Sequence, residues 1–120
     1  MELVDTSVWI QHLRYGNPSL KILLNDHRVL CHPFIIGELA CGSIGNRVEI
    51  LGLLSALPQS VIADHDEVME FVEENRLYGR GIGWIDQHLL ASSILSRTRL
   101  WTLDARLSTV ASELGISFKV

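Results

Sequence analysis

Four carboxylates stand apart from the other acids of the chain. Asp5 ends the apolar run Leu3-Val4. Glu38 is the one charge between Pro33 and Cys41. Asp86 closes Ile82-Gly83-Trp84-Ile85, ahead of Leu89, Leu90 and Ala91, and Asp104 ends Leu100-Trp101-Thr102-Leu103. An acid set in apolar sequence predicts a buried carboxylate, which is costly unless paired, protonated or bound to metal. No Lys or Arg lies between Arg28 and Arg47 or between Arg80 and Arg97, so nearby counter-charges for Glu38 and Asp86 are scarce. Carboxylates brought together repel one another, and a divalent cation relieves that repulsion. An all-oxygen ligand set favours Mg²⁺ or Mn²⁺ over zinc. Water on such a cation loses a proton more readily and can attack phosphorus, while the cation stabilises charge on the phosphoryl and leaving oxygens.

The remaining chemistry-bearing residues have plainer explanations. In the helix after Asp64, residues 66, 70, 73 and 74 share a face opposite Val68, Met69, Phe71 and Val72, which makes a solvated acidic stripe. His12, His27, His32, His65 and His88 show no paired ligand spacing, so zinc is not indicated. Cys31 and Cys41 form no CxxC and read as core thiols, and the cytoplasm is the compartment that suits them. Trp9, Trp84 and Trp101 occupy core-like positions. Gly79-Arg80-Gly81-Ile82-Gly83 follows no strand and lacks the Lys-Ser/Thr ending of a phosphate loop. It reads as a flexible entry to the helix carrying Asp86, with Arg80 a candidate substrate contact.

The elements that must position these residues alternate. Strands are expected at residues 2–5, 28–31, 60–63, 100–103 and 116–120. Helices are expected at 6–14, 20–24, 34–41, 48–57, from 64 onward, at 84–97 and at 105–114. Short strands alternating with helices predict an α/β fold whose parallel sheet is covered on both faces. Asp5 and Asp104 each fall where a strand gives way to a helix, on the carboxyl edge where ligand sites of such sheets form. The helices carrying Glu38 and Asp86 are expected to lean over the same edge.

Composition narrows the function classes. The chain has 120 residues, 48% apolar and 20% charged, which excludes a disordered or collagen-like protein and fits one domain over residues 1–120. No apolar run approaches the ~20 residues of a membrane span. Ten basic against fourteen acidic residues give a net charge of −4, which excludes a surface gripping nucleic acid on all sides. Neutralising four acids in a metal site would balance the remainder, −4 + 4 = 0. Lys21 and Lys119 are the only lysines, so arginine, the better planar binder of phosphate, supplies most of the positive charge. A mean hydropathy of +0.24 leaves apolar surface for partners.

Four segments carry a family likeness: Asp5-Thr6-Ser7-Val8-Trp9-Ile10, Gly37-Glu38-Leu39-Ala40, Gly81-Ile82-Gly83-Trp84-Ile85-Asp86 and Trp101-Thr102-Leu103-Asp104. Through them the chain resembles the PIN-domain ribonucleases of the VapC toxin type over essentially its whole length. The resemblance implies a PIN-like three-layer sandwich, with a central, mostly parallel sheet flanked by helices. It implies a Mg²⁺ or Mn²⁺ site, endonucleolytic cleavage of RNA, a VapB-type antitoxin partner and a toxin homodimer in the cytoplasm. Matched by position, Asp5, Glu38, Asp86 and Asp104 form the catalytic quartet. Asp5, Asp86 and Asp104 are its metal ligands, and Glu38 binds metal or orients water. Thr6, Ser7 and Thr102 match the family's hydroxyl positions beside the substrate. Many members carry a further acid shortly after the fourth, where this chain has Ala105, Arg106 and Leu107.

Apolar anchors for a partner helix are expected around Trp9, Leu13, Leu51 and Leu54. Two other readings are open: a catalytically silent PIN-fold RNA-binding or interaction module, and a receiver-type phosphotransfer domain. The receiver needs a lysine near a late strand, where only Lys119 stands. A haloacid-dehalogenase phosphatase would need Asp where Ser7 stands.

Overall fold

Three short strands make the sheet at the centre of the protein. The computed structural model describes residues 1–120, with β1 at Glu2–Val4, β2 at Val29–Leu30 and β3 at Arg99–Trp101. They run parallel in the order β2-β1-β3, with Leu3 opposite Leu30 on one side and Leu100 on the other. Leu3, Val4, Val29, Leu30, Leu100 and Trp101 are all buried, as the near-continuous apolar strands of a covered parallel sheet must be.

Seven helices surround the sheet: α1 (Thr6–Tyr15), α2 (Pro18–Asn25), α3 (Pro33–Cys41), α4 (Arg47–Ala56), α5 (His65–Glu74), α6 (Trp84–Leu95) and α7 (Ala105–Glu113). Several starts follow from side-chain chemistry. Asn17, His32, Asp64 and Asp104 each accept a first-turn N–H, and Pro18 and Pro33 take first helical positions. Asn17 and Pro18 therefore start α2 two residues before the expected Leu20. The expected helix at 84–97 stops at Leu95, because Arg97 turns to φ 54° and its N–H returns to the Ile94 carbonyl.

The two outer strands expected at 60–63 and 116–120 are reduced to single bridges, Cys31 with Gln59 and Leu100 with Ser117. On the first edge the rungs are Cys31 N–H to Pro58 and Ser60 N–H to the Cys31 carbonyl. The next rung would need an N–H from residue 33, which is Pro33 and has none, and the Val61 N–H, on the other side of its strand, donates to Ser96 Oγ. A two-residue β2 offers no further partner.

The connections locate the crevice. From β1 the chain steps through α1 and α2 to β2, then through α3 and α4 to the Gln59 bridge, always in one direction. Through α5 and α6 it returns across the sheet to β3, and through α7 it moves on to the Ser117 bridge. Right-handed crossovers then put α1–α4 on one face and α5–α7 on the other. The packing agrees: α3 lies against α1 and α4, and α6 against α5 and β3. This is an α/β layering consistent with the PIN-like sandwich. The strand order reverses between β1 and β3, and ligands of such sheets bind outside the carboxyl ends at that switch point. Asp5 follows β1 there, and residues 102–104 follow β3.

Two expected core residues lie outside the core. Cys31 is fully buried, but Cys41 is exposed at the end of α3. Trp84, the first residue of α6, is 40% exposed, with its ring between those of His65 and His88 at 5.1 and 4.7 Å. Helix periodicity places the apolar run 89–91 inward and the helix's opening residue at the rim. No helix is long and apolar enough to cross a membrane.

Candidate active site

Asp5 occupies the N-cap of α1, yet its side chain makes no cap hydrogen bond. An Asp in that position ordinarily accepts a first-turn N–H. Here Oδ2 instead accepts from Ser7 Oγ at 2.8 Å and from Thr102 Oγ1 at 2.7 Å, and the residue is buried. Both hydroxyls are held in turn. Ser7 Oγ accepts the Leu103 N–H at 3.0 Å and Thr102 Oγ1 accepts the Asp104 N–H at 3.1 Å. The segment leaving β3 is thus laced to the carboxylate leaving β1.

The other three acids come from three helix settings. Glu38 Oε1, on α3, accepts from Thr6 Oγ1 at 2.7 Å. Asp86, in the first turn of α6, accepts the Gly83 N–H on Oδ2 at 3.2 Å. Asp104 caps α7 by accepting the Leu107 N–H on Oδ1 at 3.0 Å. In all four acids one oxygen is fixed by protein donors, while the other has no protein hydrogen bond. None of the four makes an ion pair. The ion pairs present join Glu2 to Arg28 and Arg99, and Glu113 to Arg80.

The four share one electrostatic region. Burial holds the Asp86 carboxyl above its ordinary range. The Gly83 N–H opposes that shift, and the charges of Asp5, Asp104 and Glu38 reinforce it. The expectation of four buried carboxylates holds only in part: Asp5 is buried and Asp86 half-buried, whereas Glu38 and Asp104 are exposed. On α3 the apolar neighbours Ile35 and Leu39 turn inward while Glu38 turns out, and Asp104 sits outside the sheet edge as a cap. No three His, Cys, Asp or Glu side chains stand close enough to share a metal ion as placed. Mg²⁺ needs no such cage, since it keeps several waters and takes one or two carboxylates. The buried Asp5 and the cation-starved Asp86, each with a free oxygen, suit that demand.

The expected substrate contacts Thr6, Ser7 and Thr102 direct their hydroxyls at carboxylates of the site. Arg80 Nη2 donates to both carboxylate oxygens of Glu113, at 3.0 and 2.8 Å. A cleft of about 290 Å³ adjoins Glu38 and is lined by Ile10, Leu13, Arg14, Ser43 and Asn46 among others. Sequence reasoning missed Glu2, an acid fully buried at the opposite end of β1, with Arg28 Nη2 at 2.9 Å and Arg99 alongside. One strand therefore carries a neutralised acid at its amino end and an unneutralised one at its carboxyl end. No local signal marked this pairing, because it is the parallel register of β1 on β3 that sets Glu2 opposite Arg99.

Ribonuclease VapC32 of Mycobacterium tuberculosis, from strains CDC 1551 / Oshkosh and ATCC 25618 / H37Rv, is 48% identical to the chain over 118 residues, covering 98% of this chain and 95% of the relative. The chain belongs to the VapC ribonuclease family. That membership places it with the PIN-domain toxins and among the phosphodiester hydrolases. No family profile matches the chain.

Proposed function

We propose that the chain is a Mg²⁺- or Mn²⁺-dependent endoribonuclease, one PIN-like nuclease domain over residues 1–120 acting as the toxin of a VapBC-type pair. The observation that supports this most is the state of the four acids. Each has one oxygen tied by the protein and one free, and no Lys or Arg pairs with any of them. A divalent cation bound there supplies the lowered water pKa and the phosphoryl charge neutralisation that hydrolysis needs.

The chain's own residues have distinct tasks. Asp5 and Asp86 would hold the cation, and Asp104 would complete its ligand set. Thr102 and Ser7 fix Oδ2 of Asp5, which leaves Oδ1 as the oxygen that would ligate. Thr6 fixes Oε1 of Glu38, leaving Oε2 to ligate or to accept a proton from the attacking water. Hydrolysis would join the water oxygen to phosphorus and break the bond to the ribose oxygen, the water's proton passing to Glu38 Oε2 and the leaving oxygen taking a proton from solvent water. Arg80 borders the substrate path from the loop before α6, its charge already balanced by Glu113.

Partners follow from the same surface. A groove of about 280 Å³ between α1, α2 and α4 is lined by Trp9, Leu13, Leu24, Leu53 and Leu54 among others, and suits the apolar side of a VapB-type antitoxin helix. Trp9 and Leu54 are themselves buried and form its floor, while Leu53 is 59% exposed. An inhibitor arginine would find the unpaired carboxylates a ready receptor, and Mg²⁺ should weaken it by competition. A homodimer and a cytoplasmic location complete the reading; two free thiols suit a reducing compartment. The test is incubation with RNA in Mg²⁺, with product ends mapped by sequencing. Discrete internal cuts support an endonuclease. Intact RNA bound without cleavage would favour the silent PIN-fold module.

A further inference from the structure

The four acids pose an electrostatic problem that one cation does not solve. With a divalent ion bound, their formal charge is −4 + 2 = −2, and an RNA strand approaching them is itself an anion. Arg80 does not offset this, because Glu113 neutralises it. Another arginine is better placed. Arg106 is the second residue of α7, two positions after Asp104. Its guanidinium lies against the backbone of Gly81: a Cβ built on Gly81 would fall 2.8 Å from Nη1 and 2.9 Å from Cδ of Arg106. Gly81 in turn stands two residues before Gly83, whose N–H holds Asp86. Arg106 thus bridges the segments that deliver Asp104 and Asp86.

The Gly81 backbone, at φ +77°, is a conformation that favours glycine, and the missing Cβ is the space the guanidinium fills. Arg106 is exposed and makes neither an ion pair nor a side-chain hydrogen bond, so its donor fork is free. A planar fork of this kind matches two oxygens of a phosphate. We propose that Arg106 binds a backbone phosphate of the RNA strand beside the scissile bond, and that Gly81 is its seat. The inference rests on the ribonuclease reading of the site.

The test measures RNA binding without catalysis. A fluorescein-labelled single-stranded RNA of about 12 nucleotides is titrated with protein in EDTA over a series of salt concentrations, read by anisotropy. Arg106→Ala should raise Kd about tenfold, the loss of one charge-assisted contact, and reduce the magnitude of the log Kd against log salt slope by about 0.7. Arg106→Lys should keep the slope and recover part of the affinity. Arg97→Ala is the control, since Arg97 lies two residues beyond the far end of α6, which carries the chain about 13.5 Å from Asp86 to Leu95; it should leave both unchanged. In Mg²⁺, Arg106→Ala should raise KM about tenfold with kcat within about twofold of wild type. Wild-type affinity and slope in Arg106→Ala, or a loss confined to Arg14→Ala on the cleft beside Glu38, would overturn the assignment while the ribonuclease reading stands. A wild-type protein that neither binds nor cleaves RNA would overturn both.

Discussion

Two buried threonines, four residues apart, offer a matched test of how Asp5 is held. Thr102 Oγ1 donates to the buried Asp5 carboxylate at 2.7 Å and accepts the Asp104 N–H at 3.1 Å. Thr98 is 9% exposed, and its hydroxyl is buried with no partner. Valine in either position keeps the branched shape and removes the hydroxyl. At Thr102 the loss is a hydrogen bond to a charged group, worth roughly 1.5–3 kcal/mol, with the Asp104 amide left to water. At Thr98 the loss is an unsatisfied polar group, so the change should be neutral or stabilising by up to about 1 kcal/mol. With an unfolding entropy of about 2.1 cal/mol/K per residue, a chain of this length changes Tm by about 4 °C per kcal/mol. Thr102→Val should therefore melt about 6–12 °C below wild type in EDTA at pH 7, and Thr98→Val at or slightly above it. Thermal unfolding followed by circular dichroism measures both. Equal Tm values for the two variants would refute the claim that Thr102 anchors a charged Asp5.

Other outcomes follow from the titrating groups. Because burial and three like charges raise the Asp86 pKa, ionised Asp86 weakens the fold above that pKa. Asp86→Asn should melt higher than wild type in EDTA at pH 7, with the gap closing as pH falls through the carboxylate range and shrinking in Mg²⁺ as wild type gains the ligand; a lower Tm for the variant in EDTA would count against the repulsion. Burial pushes the His32 imidazole from 6.5 down to about 4, and its Nδ1 accepts the Phe34 N–H. The unfolded chain thus takes up a proton that the folded one resists, so His32's contribution is complete above pH 6.5 and lost as pH falls towards 4. Urea titrations of His32→Asn, which keeps a capping acceptor, should show a flatter acid limb, and an unchanged limb would exclude this origin. Burial pushes the Cys31 thiol up to about 11, while Cys41 is exposed. A thiol reagent at pH 8 should modify one cysteine per native chain and two after denaturation, and rapid modification of both would contradict the packing around Cys31.

The parts of this architecture that local chemistry dictates were legible. Strands β1 and β3 are apolar runs, and Asn17-Pro18, His32-Pro33 and Asp64 announce their helices through caps. The parallel sheet, and the carboxyl edge that holds Asp5 and Asp104, followed from alternation alone. The outer strands were not legible, because Val61 and Ile116 carry strand-like side chains whatever their partners, and on the first edge pairing stops where β2 gives way to Pro33 and α3. For the site, apolar neighbours marked all four acids but could not rank their burial, since Glu38 and Asp104 lie on turned faces. The Thr102 hydrogen bond that holds Asp5 joins residues 97 positions apart. The seating of Arg106 on Gly81 is equally non-local, which is why Arg80, adjacent in sequence, looked the better candidate.

The account's central claim is that the unpaired carboxylates hold the cation that drives RNA cleavage. The most direct test follows the initial cleavage rate of one end-labelled RNA across a Mg²⁺ titration, for wild type and Asp5→Asn in parallel. The expected result is no cleavage by wild type in EDTA, a rate that rises and saturates with Mg²⁺, and a loss of at least about a hundredfold in Asp5→Asn at saturating metal. Wild-type cleavage undiminished in EDTA, or an Asp5→Asn protein with the wild-type rate and Mg²⁺ dependence, would contradict it.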